Sequence, residues 1–409
     1  MSRFPKRWAA VMTVVCLSCC AALAQDAPPP APSLAQAVDA AWRHRQSSLA
    51  SQDRVRQAQA SGVAARSWLA GAPALELSTR SDRFHADGGA VEHEAGVALP
   101  IWLPGQRDAH LAAADAELAW AEATEAADRL KLAGEVRERA WEAVAAQAQL
   151  AQAEAQARSL ESLAADVARR LAAGELARSD LLDARAEALS ADAQVEETRA
   201  RLAALRAQWR ALTGLEALPD PAEAERGSAA VDEDAHPALR IAELAAQRSE
   251  RALEVARRSS REAPELGIGL RQERGERGAA LERTVAVSLR WSFGNDARNE
   301  PLKAEAMGQR NAARVEAMLL RQQLAGDRAA AAAALRAAQA QLAAARERQA
   351  LLAERLGLVE AAFRAGEQDL PALLRARSAQ AQAAAALNQQ QAALGLARAR
   401  LHQALGLLP

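Results

Sequence analysis

Residues 284–293 read Thr284-Val285-Ala286-Val287-Ser288-Leu289-Arg290-Trp291-Ser292-Phe293. In an extended chain Val285, Val287, Leu289, Trp291 and Phe293 lie on one face, and the five residues between them lie on the other. About ten alternating residues make the length of a tilted strand that crosses a bilayer. A soluble antiparallel sheet resting on a core alternates in the same way. What separates the two readings is whether the rest of the chain offers a layer to cover that face.

Three other stretches alternate likewise. In 74–84, Leu75, Leu77 and Thr79 oppose Glu76, Ser78 and Arg80. In 91–102, Ala95, Val97, Leu99 and Ile101 oppose Glu94, Gly96 and Ala98. In 265–273, Leu266, Ile268 and Leu270 oppose Gly267, Gly269 and Arg271; the fourth stretch spans 282–293. They fall into two pairs because the chain repeats itself, with a period of roughly 190 residues. Pro73-Ala74-Leu75-Glu76-Leu77 recurs as Pro264-Glu265-Leu266-Gly267-Ile268, and Val97-Ala98-Leu99 as Val287-Ser288-Leu289. Gly174, followed by Leu181-Leu182 and Arg185, recurs as Gly366, followed by Leu373-Leu374 and Arg377.

Each repeat has one grammar: a helix, two strands, a very long helix, a glycine turn and a shorter returning helix. The first helices are expected at about 34–70 and 236–262, the long ones at 105–172 and 297–365, and the returning ones at 178–214 and 371–406. A helix of about 68 residues is ~100 Å long, beyond any compact domain. Two shorter helices stacked end to end would match it, which suggests an elongated bundle or barrel of long and composite staves. Leu202, Leu205, Trp209 and Leu212, and again Leu352, Leu356, Val359 and Phe363, step by three and four as in coiled coils. The repeats occupy 34–218 and 236–409, with an extended segment at 25–33 and a linker at 219–235 built on Pro219-Asp220-Pro221.

Composition agrees. Of 409 residues half are hydrophobic, yet 3% are aromatic and none is Tyr, which argues against an aromatic-rich sandwich or α/β enzyme core. Ala, Leu, Glu, Gln and Arg favour long helices. A net charge of −1 provides no basic field for nucleic acid. Residues 1–24 read as a secretory signal: Arg3, Lys6 and Arg7, an apolar run from Trp8 to Leu23, then Ala22-Leu23-Ala24. An uncleaved anchor and a lipoprotein signal are the other readings of that segment. Cleavage after Ala24 removes three cations and no acid, taking the charge from −1 to −4, and removes Cys16, Cys19 and Cys20. The mature chain then has no thiol or disulfide chemistry.

An open sheet edge is not tolerated in lipid, and four strands cannot close a barrel. In the membrane reading several chains must share one; three copies supply twelve strands. Trp102, Trp291 and Phe293 stand at strand ends, where an interfacial aromatic belt would lie.

The duplicated unit behind a signal peptide resembles the TolC-like outer-membrane efflux family over essentially the whole mature chain. The resemblance rests on Gly96-Val97-Ala98-Leu99-Pro100 before Gly105-Gln106-Arg107, on Arg170-Leu171-Ala172-Ala173-Gly174 before Asp180-Leu181-Leu182, on Ala362-Phe363-Arg364-Ala365-Gly366, and on Ser33-Leu34-Ala35-Gln36-Ala37-Val38. Gln106 and Arg107 are reminiscent of the heavy-metal cation branch. The resemblance implies a mainly α fold with a small membrane β part. It implies a homotrimer whose twelve-stranded barrel, four strands per chain, sits in outer-membrane lipid and continues as a long periplasmic helical barrel. Such a duct passively conducts metal cations or drugs delivered by a periplasmic adaptor and an inner-membrane pump.

It also implies roles for particular residues. The adaptor would grip the turns at Arg170, Gly174, Phe363 and Gly366. Acidic residues after the turn narrow the tunnel mouth in this family. Asp180 and Asp183 match that spacing, whereas the second repeat has Ala372 and Arg375 there, with Glu367 and Asp369 as substitutes.

No catalytic, cofactor or metal constellation stands out. His44, His85, His93, His110, His236 and His402 are scattered without zinc spacing. Asp82, His85, Asp87, Glu92, His93 and Glu94 gather about Gly88-Gly89; the reading is a polar extracellular loop, with weak divalent-cation binding as the alternative. Gly267 and Gly269 alternate along a strand and are no phosphate loop. Two further functions compete with the duct: a periplasmic adaptor subunit, and a secreted structural coiled coil.

Overall fold

The computed structural model describes residues 31–45, 47–85, 88–220, 235–259, 262–293 and 296–409. The expected signal segment lies outside these residues, as does most of the inter-repeat linker. Element order is α1 (Leu34–His44), α2 (Ser47–Arg66), β1 (Ala74–Ser81), β2 (Val91–Pro100), α3 (Gln106–Ala172), α4 (Arg178–Thr213), α5 (Pro237–Arg258), β3 (Glu265–Arg274), β4 (Glu282–Arg290), α6 (Asp296–Arg364) and α7 (Leu370–Ala404).

The long helices α3 and α6 have 67 and 69 residues. Two shorter staves lie beside them. One is composite, of α5 and α7, and packs along both α3 and α6; α4, with α1 and α2 beyond its C-terminal end, packs along the other side of α3. The glycines that close the helices are evenly displaced between repeats: Gly174 and Gly366, like Gly214 and Gly406, are 192 residues apart, all with positive φ. The same shift carries α2 onto α5 and α4 onto α7.

The first helical stretch divides in two. Ser33 caps α1 through a reciprocal bond with Gln36, and α1 buries Leu34, Ala37, Val38, Ala41 and Trp42 against α3 and α4. The described part of α2 buries only small residues, Ser51, Ala58, Gly62 and Ala65. The chain therefore turns after His44 from a stave junction to a separate seat on α3.

The four strands form one antiparallel sheet in the order β1-β2-β3-β4, leaving β1 and β4 as free edges. Register places Leu75, Val97, Ile268 and Val287 in one row and Leu77, Ala95, Leu270 and Val285 in the next. The other face carries Ser78, Glu94, Arg271 and Thr284, then Arg80, Glu92, Glu273 and Glu282. Glu92 pairs with Arg271 at 3.0 Å and with Arg80 at 3.4 Å. The apolar face is bare: Leu77 is 73% and Val287 72% exposed. Each such side chain forgoes roughly 1.5–3 kcal/mol while it stands in water. None of the described helices packs on the sheet, and none is long and apolar enough to cross a membrane.

The aromatic residues need one correction. β2 ends at Pro100, and Trp102 beyond it turns inward. Its indole N–H donates to the Ser67 carbonyl at 3.0 Å and its ring tilts against His110 at 5.2 Å. Trp102 therefore does not belong to an outer belt. Trp291 and Phe293 are exposed beyond β4, and Trp68, ahead of β1, joins them at 73% exposure.

Candidate functional site: the helical turns

At the end of the rods away from the sheet, both helical hairpins close in the same way. The Glu175 N–H donates to the Arg170 carbonyl at 2.9 Å, and the Glu367 N–H to the Ala362 carbonyl at 2.9 Å. This six-to-one bond is the mark of a helix ended by a left-handed residue. Gly174 and Gly366 supply it, with φ of 81° and 76°. Nothing lies within 4 Å of where a Cβ would stand on either glycine. Glycine is thus needed for its backbone conformation, and the outside of each turn is open.

Beneath the turns the two repeats share one core. Leu160, Leu163 and Val167 of α3 meet Ala184 and Ala191 of α4, Phe363 of α6, and Leu370 and Leu373 of α7. Phe363 is buried, and the Arg170 guanidinium lies over its ring, 5.0 Å from the centroid. Arg170 also pairs with Asp166 at 3.3 Å. Arg377 of α7 binds Glu360 of α6 at 2.8 Å and the hydroxyl of Ser159 in α3 at 2.8 Å. Sequence reasoning saw Arg377 only as a repeat landmark, although it ties three helices.

The acidic candidates divide by role. The Asp180 carboxylate accepts from the Ala177 N–H at 3.0 Å. In the second repeat Asp369 occupies the N-cap position and accepts from the Ala372 N–H at 2.9 Å. Shifted by the repeat, Ala177 corresponds to Asp369 and Asp180 to Ala372. Each repeat thus keeps the opposite half of a capping box. That accounts for the mismatch between Asp180 and Ala372: one helix start is capped from either direction. Asp183 and Glu367 are exposed and make no ion pair among the described residues.

At the other end of α3, Gln106 accepts from the Leu103 N–H at 3.0 Å and donates to the Arg258 carbonyl at 3.2 Å, and Arg107 donates to the Arg66 carbonyl at 2.7 Å. These two residues fasten the passage from strand to helix. No group of three or more His, Cys, Asp or Glu able to hold a metal occurs among the described residues. Asp87 of the hairpin cluster lies outside them, and Glu92 is held by two arginines.

Residues 37–215 match the family model of outer membrane efflux proteins. No curated protein matches the chain. Solved structures with this fold include VceC, an outer membrane protein from Vibrio cholerae, at 18% identity, 91% of this chain, 96% of that chain and a TM-score of 0.73. CusC matches at 18% identity over 92% of both chains, with a TM-score of 0.75. The CmeC outer membrane channel of Campylobacter jejuni matches at 15% identity, 91% of this chain, 85% of that chain and a TM-score of 0.72.

Proposed function

We propose that the chain is a member of the outer membrane efflux protein family, whose model matches residues 37–215, and that it forms the exit duct of a tripartite efflux pump. It conducts passively and has no chemistry of its own. The observation that carries this reading is the bare apolar face of the sheet, continuous with helices ~100 Å long. Lipid is the solvent that such a face requires, and the free edges of β1 and β4 require a partner strand there. Three copies supply a closed barrel of twelve strands. An adaptor has no use for a lipid-facing sheet, and a secreted coiled coil would leave this face in water.

In this duct the sheet lies in the outer membrane and the helices cross the periplasm. The open turns at Gly174 and Gly366, with Arg170 and Phe363 beside them, receive the adaptor, and the inner-membrane pump supplies the energy. Asp183 and Glu367, whose carboxylates are not engaged in capping, are better placed than Asp180 and Asp369 to set the charge of the tunnel mouth. A net charge of −4 without the signal segment supports cationic cargo. The likeness to a heavy-metal branch adds little to this, since Gln106 and Arg107 are engaged in the turn before α3.

The test is to express the full chain, fractionate the envelope and size the detergent-extracted protein by light scattering. A trimer in the outer-membrane fraction is expected. A soluble periplasmic monomer would overturn the reading.

A further inference from the structure

The ionisable side chains of the sheet are sorted by face. Glu76, Glu92, Glu94, Glu265, Glu273 and Glu282 all lie on the face opposite Leu75, Val97, Ile268 and Val287, the one turned to the lumen in a closed barrel. Arg80, Arg271 and Arg290 share that face, and each pairs with a carboxylate there. The apolar face carries no carboxylate on any of the four strands. It does carry cations, and they stand together at the hairpin end.

Going away from the helices, the last apolar row is Leu77, Ala95, Leu270 and Val285. The next row is Thr79, His93, Gln272 and Arg283, and Arg274 stands one row further out. From Trp291 back to Arg283 the chain covers ~27 Å along the strand, or ~20 Å of height at the tilt of a membrane strand. Arg283 therefore stands at the edge of the hydrocarbon layer, where an arginine on the lipid face costs little, and not within it, where it costs much. Arg283 is exposed, and neither arginine pairs with a carboxylate among the described residues. Arg274 donates from Nε to the Gly89 carbonyl at 3.4 Å, a bond that leaves its terminal nitrogens for another acceptor. Arg283 is opposite Gln272, and Arg274 is two residues further along β3. Such diagonal neighbours are roughly 7–8 Å apart, so both guanidiniums can reach one phosphate.

The two edges of the apolar band are unlike. At the helical edge Trp68, Trp291 and Phe293 are exposed, side chains that suit a bilayer interface of any headgroup. At the hairpin edge no aromatic residue shares the apolar face of the strands, and arginine, histidine and glutamine stand in its place. A membrane barrel commonly has aromatic girdles at both edges. The difference matches two leaflets that differ in headgroup, the outward one rich in phosphate.

We propose that Arg274 and Arg283, with His93 and Gln272 beside them, bind the phosphate groups of an anionic glycolipid on the lipid side of the barrel rim. The proposal rests on the duct reading and names the lipid that this barrel meets in the outward leaflet. A phosphorylated sugar headgroup fits the row in two ways. Its phosphate monoester carries about two charges near neutral pH, enough for both arginines. Its hydroxyls meet Gln272, His93 and Thr79, whose Oγ1 lies 3.3 Å from the His93 ring. The phosphodiester of a phospholipid offers one charge and fewer hydroxyls. The carboxylates kept to the luminal face leave nothing on the lipid side of the strands to repel such a headgroup.

The test is native mass spectrometry of the full chain, extracted from its membrane in detergent and titrated with lipid A, a diphosphorylated glycolipid. Discrete lipid A adducts are expected. Arg274→Gln with Arg283→Gln should weaken them about tenfold or more, the scale of a lost charge-assisted hydrogen bond. Glu282→Gln, at the same height on the luminal face, should leave them unchanged. Arg283→Gln alone should also weaken them, and it carries the test should the double variant fail to assemble. Dephosphorylated lipid A and phosphatidylglycerol should bind more weakly than lipid A. Equal adducts in the unaltered protein and the arginine variants overturn the proposal. So do equal adducts with dephosphorylated lipid A or phosphatidylglycerol, or displacement of lipid A by equimolar inorganic phosphate. A trimer that takes up no lipid A overturns the surface and leaves the duct standing. A soluble monomer overturns the duct reading and this surface with it.

Discussion

The guanidinium of Arg170, at the end of the first long helix, lies 5.0 Å from the centroid of the Phe363 ring, at the end of the second. This contact joins the tips of the two repeats. Phe363 is 6% exposed in a core drawn from four helices. Phe363→Ala should cost about 3–5 kcal/mol at the tip, with the barrel unaffected. Hydrogen exchange should show faster opening of the amides flanking both turns, and heat-modifiable gel migration should be unchanged. Arg170→Ala should have a smaller effect, about 0.5–1 kcal/mol for a partly exposed cation over a ring.

Gly174→Ala and Gly366→Ala should behave alike. Neither Cβ meets a neighbour, so the cost is that of a left-handed alanine, about 1–2 kcal/mol each. If the adaptor grips both turns, each variant weakens crosslinking to the adaptor and lowers efflux while trimer yield holds. Undiminished crosslinking in both would remove the turns from the docking surface.

The capping acids can be told apart from those proposed for the tunnel mouth. Asp180→Ala and Asp369→Ala should each cost about 0.5–2 kcal/mol through loss of a helix cap, read as a lower melting temperature of the helical part. Asp183→Asn should leave melting unchanged and reduce cation preference in single-channel recordings. A melting loss for Asp183→Asn with unaltered conductance would reverse the assignment.

Much of this was legible in the sequence because it is written in local periods. Alternation at two gave the strands and their faces, and Gly174 and Gly366 marked both turns. What could not be read depends on packing between distant residues. Trp102 looks like a belt residue until Ser67 and His110 are seen to hold it inward. The division of the first helix into α1 and α2 has no Pro or Gly in 45–47 to announce it. Asp180 seemed to lack a counterpart because its equivalent function had moved three residues, to Asp369.

Gly395 of α7 lies against Trp141 of α3 where the two helices pack. A Cβ there would collide with the Trp141 ring. Gly395→Ala should therefore destabilise the α3–α7 contact by about 1–3 kcal/mol through overpacking. Trp141→Leu should relieve Gly395→Ala in a double variant. Thermal melts of the four species close the cycle, and additive losses would show that the two residues do not constrain one another.

Acidification should loosen the junction of the composite stave. His236 caps α5: its Nδ1 accepts from the Ala238 N–H at 3.2 Å, which requires the neutral ring. Burial lowers its pKa below 6.5; the neighbouring backbone of Gln403 opposes this, and the charge of Arg328 adds to it. His110, buried beside Trp102, is lowered in the same way by desolvation. For a base whose folded pKa is depressed, the unfolded chain binds the proton more readily. The stability is therefore complete above the unfolded value near 6.5 and is lost as pH falls through the lower folded value. Melting temperature should hold at about neutral pH and fall on acidification below about 6.5. His236→Asn keeps a capping side chain without a titrating group, so it should melt normally at neutral pH and lose part of the acid sensitivity. An unchanged pH profile in that variant would place the sensitivity elsewhere.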